Sequence, residues 1–286
     1  MIHKRKDEKM KRIITIQDIS CVGKCSLTVA LPIISAAGVE TGVLPTAVLS
    51  THTMFPKFTF CDLTDEIEKI SDTYEELGID FDAIYTGYLG SFRQIELVGD
   101  FIDRHKGENT YVVIDPAMAD NGKLYKGFTE EFAKNMAGLC AKADLIIPNI
   151  TEASFMLGIP YVENYDEEYI RNVLKQLSSL GARRSAISGV EFGDGKIGVY
   201  VYDKETDSYF SYFNEKLPVS YHGTGDIYAS STVGAIMRGK SPECALKIAV
   251  DYTLECMKCT LRDENARFYG VNFEEALPAY IKMLGE

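Results

Sequence analysis

Apolar positions along this chain follow two alternating rhythms. Short, densely apolar runs are separated by longer stretches in which apolar residues recur every three to four positions. The first short run, residues 12–17 (RIITIQ), reads as a buried strand. Helical spacing then covers 25–37 and stops at Gly38, a residue that readily takes the left-handed turn after a helix. The pattern continues as strand 39–49, helix 63–77 ending at Gly78, strand 83–86, helix 93–105, strand 111–114 and helix 129–141. Strand 145–147, helices 151–157 and 167–180, and strand 184–188 follow. Strands that alternate with helices need crossover connections, so the expected fold is α/β, with a mostly parallel central sheet and helices on both faces. Beyond 188 the rhythm changes. Residues 196–202 and 209–216 are consecutive strands joined by Lys204-Glu-Thr-Asp207, which makes an edge hairpin. Three helices close the chain at 226–238, 242–262 and 273–284. No linker, repeat or composition break appears. Residues 10–286 therefore read as one domain behind a charged, disordered tail at 1–9, and Met10 offers a start just before the first strand.

The 286 residues carry 30 basic and 42 acidic side chains, a net charge of −12. An acidic balance disfavours nucleic acid and anionic membranes, which need a basic footprint. It leaves room for an anion held by local geometry. No stretch reaches the roughly 20 mostly apolar residues of a membrane span, and the charged N-terminus lacks the apolar core of a secretory signal. Seven cysteines, an odd and scattered set, suit a reduced cytoplasmic chain. Cys256 and Cys259 form a CxxC on a helical stretch. A zinc site needs four ligands and no matching second pair exists, so no structural zinc is expected.

In doubly wound sheets ligands bind beyond the carboxyl ends of the strands, so chemistry is sought in the loops there: 18–24, 50–61, 87–91, 115–125 and 148–152. Gly193–Gly198 matches GxGxxG but leads into a strand, so it reads as a turn rather than a dinucleotide site. His222-Gly-Thr-Gly-Asp226 opens a helix. Glycines 223 and 225 let the backbone present several N–H donors at the positive end of the helix dipole, an anion site. Asp226 would repel a merely bound phosphate, but it makes sense as the acceptor of a proton from a hydroxyl attacking that phosphate. The alternative is a helix N-cap. Asn149-Ile-Thr-Glu152 resembles a capping box or, functionally, a pair of contacts to a hydrated Mg²⁺. Asp115 and Asp120 bracket an Asn121-Gly122 turn, either a phosphate-handling flap or a surface turn. Residues 50–56 (STHTMFP) form a candidate substrate loop. Walker A, protein-kinase and GxSxG motifs are missing. A Cys61–His222 thiol dyad has no local support, and His3 and His105 read as surface residues.

Taken together, TIQD, VGKCSLT, STHT, the Gly87-Tyr88 turn, DPAMADNGKLY, NITE and GTGD resemble the pyridoxal kinases of the ribokinase-like superfamily, over nearly the whole chain from Met10. The resemblance implies a three-layer sandwich, a homodimer, and phosphoryl transfer from MgATP to the 5′-hydroxyl of pyridoxal and related B6 vitamers. It admits K⁺ as a monovalent ion. By the same resemblance Asp226 is the catalytic base, and Gly223, Thr224 and Gly225 are the anion hole. Asp115, Asp120, Asn149, Glu152, Ser188 and Thr224 face the nucleotide, with Asn149, Glu152 and Asp115 on the metal side. Asp18, Thr53 and Tyr88 meet the pyridine ring, with His52 and Val22 close by. Some relatives carry Ser at the position of Asp18, and MGD where this chain has Met118-Ala-Asp120. A hydroxymethylpyrimidine kinase would show a Gly-Gly-rich stretch where this chain has SCVGKCS. A B6 carrier would need neither base nor metal pair.

Overall fold

The computed structural model describes residues 9–285. Apart from Lys9, the tail expected at 1–9 lies outside the described residues, as does His3. The elements run β1 (Arg12–Ser20), α1 (Leu27–Ala36), β2 (Glu40–Leu49), β3 (Phe60–Asp62), α2 (Thr64–Glu76), β4 (Ala83–Thr86), α3 (Phe92–His105), β5 (Tyr111–Ile114), β6 (Ala119–Asp120) and β7 (Lys123–Leu124). They continue with α4 (Glu130–Cys140), β8 (Leu145–Ile146), α5 (Ile150–Leu157), α6 (Glu167–Ser179), β9 (Arg184–Val190), β10 (Lys196–Asp203), β11 (Ser208–Glu215), α7 (Thr224–Met237), α8 (Pro242–Arg262) and α9 (Phe273–Met283).

The main sheet has the order β11-β10-β9-β8-β5-β4-β1-β2-β3. Its centre, from β9 to β2, is parallel. The antiparallel additions are β10 and β11 at one edge and β3 at the other. Alternation of side chains along the central strands feeds two cores. Ile14, Ile16, Ile84, Val112 and Ile114 enter one, against Phe101, Met136 and Leu174 of α3, α4 and α6. Ile13, Tyr85 and Val113 enter the other, against Ile33, Val233, Leu246 and Tyr280 of α1, α7, α8 and α9. Burial on both faces explains why these strands read as continuous apolar runs. The result is the expected three-layer α/β architecture. No helix among the described residues is long and apolar enough to cross a membrane.

The structure adds three strands to those read from the sequence. β3 is exposed at all three positions, so it carries no apolar alternation. β6 and β7 are two residues each, too short for a period. Of the boundaries that move, two bear on the site. β1 runs on to Ser20, where a loop was expected, and its register with β2 shifts between Gln17 and Ile19, so Asp18 sits on a bulge. α7 starts at Thr224, two residues early. Gly193 and Gly195 both have φ 78° and close a turn into β10, as the sequence implied.

The carboxyl ends of β1, β2, β4, β5 and β8 open at one edge of the sheet. What fixes α7 behind that edge is small-residue packing. A Cβ on Gly234 would lie 2.4 Å from the Tyr280 hydroxyl and 3.0 Å from the Ala37 Cβ. The same hydroxyl donates to the Ser231 carbonyl at 2.9 Å. Gly234→Val is expected to overpack this junction and cost about 2–3 kcal/mol, a fall of about 4–10 °C in Tm. Thermal unfolding checks it; an unchanged Tm would contradict the tight junction.

Candidate active site

A cleft of about 390 Å³ opens at that edge. Loops after β5 and β8 bring Asp115, Asp120, Tyr125, Asn149 and Glu152 to it, and β9 brings Ser188. Residues 214–217 line another side, and Val250, Leu254 and Met257 of α8 give it an apolar wall. His222, Gly223, Thr224, Gly225 and Asp226 form its end.

Gly223 is the N-cap of α7, with φ 81°. A Cβ there would lie 2.1 Å from the Lys24 carbonyl oxygen, so only glycine allows the loop after β1 to pack this closely. The first amides of α7 have no partner within the helix and point at the cleft with the positive end of the dipole. Ile227 through Ala235 are buried all round, which fixes the direction of that dipole. Asp226 stands in the first turn, three residues after the Gly223 cap. The cap alternative for Asp226 is thereby corrected, because Gly223 holds the cap position. Burial pushes the Asp226 carboxyl up to about 7, the charge of Asp18 adds to the rise, and the Ser26 amide opposes it.

Asn149 and Glu152 form the capping box that their spacing suggested. Asn149 Oδ1 accepts from the Glu152 amide at 2.9 Å, and Glu152 Oε2 accepts from the Asn149 amide at 2.8 Å. Glu152 Oε1 accepts from the Met118 amide at 3.1 Å, and Asn149 Nδ2 donates to the Ala119 carbonyl at 2.8 Å. These bonds tie the loop after β5 to the start of α5. Glu152 is held well above the usual carboxylate range by burial and then by Asp115. Asp115 is raised in turn by burial and then by Asp226. Ser188 donates from its backbone amide to the Pro148 carbonyl at 2.9 Å and completes that corner. Residues 119–124, expected as a flap or a surface turn, form a short hairpin. β6 and β7 pair around Asn121 (φ 50°) and Gly122 (φ 73°), the paired positive φ angles that a two-residue Asn-Gly turn supplies. The Gly122 amide donates to Thr151 Oγ1 at 3.0 Å. Among the described residues no group of three or more His, Cys, Asp or Glu side chains is arranged to hold a metal on its own.

The residues assigned to the ring side lie beyond Asp226, outside the cleft. Asp18 Oδ1 accepts from Ser26 Oγ at 2.6 Å and Oδ2 from Ser20 Oγ at 3.3 Å, while burial still raises its pKa. Its charge is felt by half-buried Tyr88, whose ring packs 5.5 Å from Phe128. His52 is buried, Thr53 is exposed, and Val22, 47% exposed, contributes its carbonyl to the His52 amide at 2.9 Å. Sequence reasoning missed three participants. Tyr125 lies in the same acidic field, its pKa raised by burial and then by Glu152. Ser26 touches both Asp18 and Asp226. His222 was considered beside Cys61, but its ring meets His52, and Cys61 is exposed on β3. An aromatic, a serine and a histidine in unrelated loops carry no local signal of such contacts.

The sequence model of the phosphomethylpyrimidine kinase family matches residues 40–268. A structure from Bacteroides thetaiotaomicron, assigned as a phosphomethylpyrimidine kinase and solved with pyridoxal, is 40% identical, with TM-score 0.90 over 95% of this chain and 96% of its own. Pyridoxal kinase from Lactobacillus plantarum is 27% identical, with TM-score 0.88 over 96% and 98% of the two chains. A pyridoxal kinase of Pasteurella multocida is 27% identical over 90% of this chain and 91% of its own.

The raised pKa of Asp226 has a consequence for stability. Below 3.8 the folded and unfolded chains both hold the proton, and the group contributes nothing. As pH rises toward 7 the folded chain holds a proton the unfolded chain releases, so stability falls across this window. At ~1.4 kcal/mol per unit the loss is at most about 4 kcal/mol, and less because the carboxylate opens onto the cleft. Asp226→Asn should therefore gain stability over the parent chain as pH goes from 4 to 8. Urea unfolding at both values checks the sign; a gap that shrinks with rising pH would contradict it.

Proposed function

The chain belongs to the phosphomethylpyrimidine kinase family of ribokinase-like proteins, and from that premise we propose that it is an ATP-dependent pyridoxal kinase. The observation that carries this reading is the joining of two half-sites at one residue. Asp226 lines the cleft that ends in helix amides, and the charge of Asp18 acts both on Asp226 and on Tyr88, which places these ring-side residues next to it. The cleft suits a nucleoside triphosphate, with its base against the apolar wall of α8 and its phosphates toward residues 223–226. The ring side around Asp18 and Tyr88 suits a small polar ring with a hydroxymethyl arm.

In the step we propose, the 5′-hydroxyl of pyridoxal gives its proton to Asp226 as its oxygen bonds to the terminal phosphorus of ATP. The bond from that phosphorus to the ADP oxygen breaks. The amides of Gly223, Thr224 and Gly225 meet charge developing on the transferred group. A pKa near 7 suits Asp226 to this task, because a base works best when its pKa lies close to the working pH. Ser188 and Asp120 stand where the nucleotide phosphates and their surroundings would reach.

The residues on the metal side fit a divalent cation. Asp115 and Glu152 are buried and repel each other, which a cation would relieve. The Glu152 carboxylate accepts from the backbone of Asn149, Met118 and Ala119, which leaves about one of its roughly four lone-pair sites for a hydrated ion, and Asn149 Oδ1, with one amide accepted, keeps a lone pair as well. Mg²⁺ held there would neutralise phosphate charge, which lets so acidic a site accept a triphosphate. We also read the protein as a cytoplasmic homodimer, supported by seven free cysteines and by exposed Phe58 and Phe60 beside the open edge of β3.

A pyrimidine kinase is the second reading, favoured by the description of the family model itself. Incubation of the protein with MgATP and pyridoxal, pyridoxamine, pyridoxine, hydroxymethylpyrimidine or ribose, with products identified by mass, separates the two. Phosphorylated B6 vitamers are expected; phosphorylated pyrimidine or sugar alone would sink the proposal. Asp226→Asn keeps the shape of the side chain and removes the basic oxygen. It should lower kcat by a factor of about 10² or more, about 3 kcal/mol in barrier, without lowering Tm. A variant that keeps more than about a tenth of the parent kcat would remove Asp226 from the mechanism.

A further inference from the structure

Between β2 and β3, residues 50–59 form the loop that carries His52 and Thr53. Of these ten only His52 is buried, at 4% exposure. Its amide donates to the Val22 carbonyl at 2.9 Å, and a Cβ on Gly23 would lie 2.8 Å from the His52 Cβ. Elsewhere in the loop Phe55 leans on Phe268 and Tyr269, with ring centroids 5.0 and 5.2 Å apart. Phe268 is itself 64% exposed, so that contact is a weak anchor. The buried ring of His52 instead meets His222 across 170 residues of sequence. The two Nε2 atoms are in hydrogen-bond contact and the rings stand edge to face, 4.1 Å apart. His222 immediately precedes the Gly223 cap and lines the nucleotide-side cleft.

The hydrogen-bond pattern fixes where the protons are. His52 Nδ1 accepts from the Met54 amide at 3.0 Å, so in the neutral ring the proton is on Nε2. That N–H donates to His222 Nε2, which leaves the His222 proton on Nδ1. Burial, and then the neighbouring His222, push the His52 pKa down to about 4, in keeping with a neutral ring.

We infer that His222 is a positioning residue for phosphoryl transfer: by accepting this one hydrogen bond from His52 it holds the acceptor-side loop, and with it the acceptor hydroxyl, in place against residues 223–226. The inference rests on the kinase reading above. Transfer between two bound partners depends steeply on their separation, and a misplacement of about 1 Å can cost ~10²-fold. The His52–His222 bond runs directly from the loop at 50–59 to the residue before the Gly223 cap of α7.

The test compares His222→Gln, whose amide oxygen can still accept from His52, with His222→Phe, which keeps a ring but offers no acceptor. The Phe variant should lose about tenfold or more in kcat/KM for pyridoxal, and Gln should recover most of that loss, with Tm alike in the two. In a double-mutant cycle with His52→Phe the second substitution should cost little once the first is made. Full activity in His222→Phe, equal loss in Gln and Phe, or additive losses in the cycle would each overturn the inference. Parent protein run in the same assay keeps the two questions apart. If it phosphorylates no B6 vitamer, the kinase reading fails, and the bridge is then read from side-chain ¹⁵N shifts of the parent. Protons on Nε2 of His52 and Nδ1 of His222 support it; the opposite tautomers overturn it.

Discussion

Four carboxylates held away from water set the terms for the rest of this site. Asp18, Asp115, Glu152 and Asp226 all have raised pKa values, with burial as the first cause in each. Asp115 acts on Glu152, Asp226 on Asp115, and Asp18 on Asp226, so the group behaves as a chain of like charges. Such a chain is tolerable only where donors oppose it. Ser20 and Ser26 serve Asp18, backbone amides serve Glu152, and the Ser26 amide serves Asp226. In the kinase reading proposed above, the same repulsion would be relieved by a cation, and through it by a polyphosphate.

Rigid scaffolding keeps that arrangement from relaxing. α7 is buried along most of its length and meets α1 and α9 at Gly234 and Tyr280. Its N-terminus touches the loop after β1 through Gly223, and the capping box of α5 pins the loop after β5. The Asn121-Gly122 hairpin docks on Thr151. Each loop of the site is therefore tied to another loop or to a helix end, and the ties are directional hydrogen bonds rather than apolar contacts. The segment at 50–59 has one buried side chain, His52, and is tied in the same way, by the His52 amide to the Val22 carbonyl and by the His52 ring to His222.

Some local chemistry announced itself. The spacing of Asn149 and Glu152 gave a capping box because that motif is closed within four residues. Asn121-Gly122 gave a tight turn because both residues tolerate positive φ. The two glycines before Asp226 marked it as either a base or a helix cap; its position in the first turn, behind the Gly223 cap, was not legible.

The sequence by itself determined the layered α/β architecture, its order of strands and helices, and the loops where chemistry would gather. Each of those depends on period and on neighbours close along the chain. Only the tertiary structure decided that Asp18 sits on a bulge facing Ser26, that Asp115, Glu152 and Asp226 share one electrostatic field, and that His52 meets His222. These contacts join residues as far as 170 positions apart. Their existence depends on how two cores pack a twisted sheet and bring the carboxyl ends of its strands to one edge, and no local pattern encodes that distance.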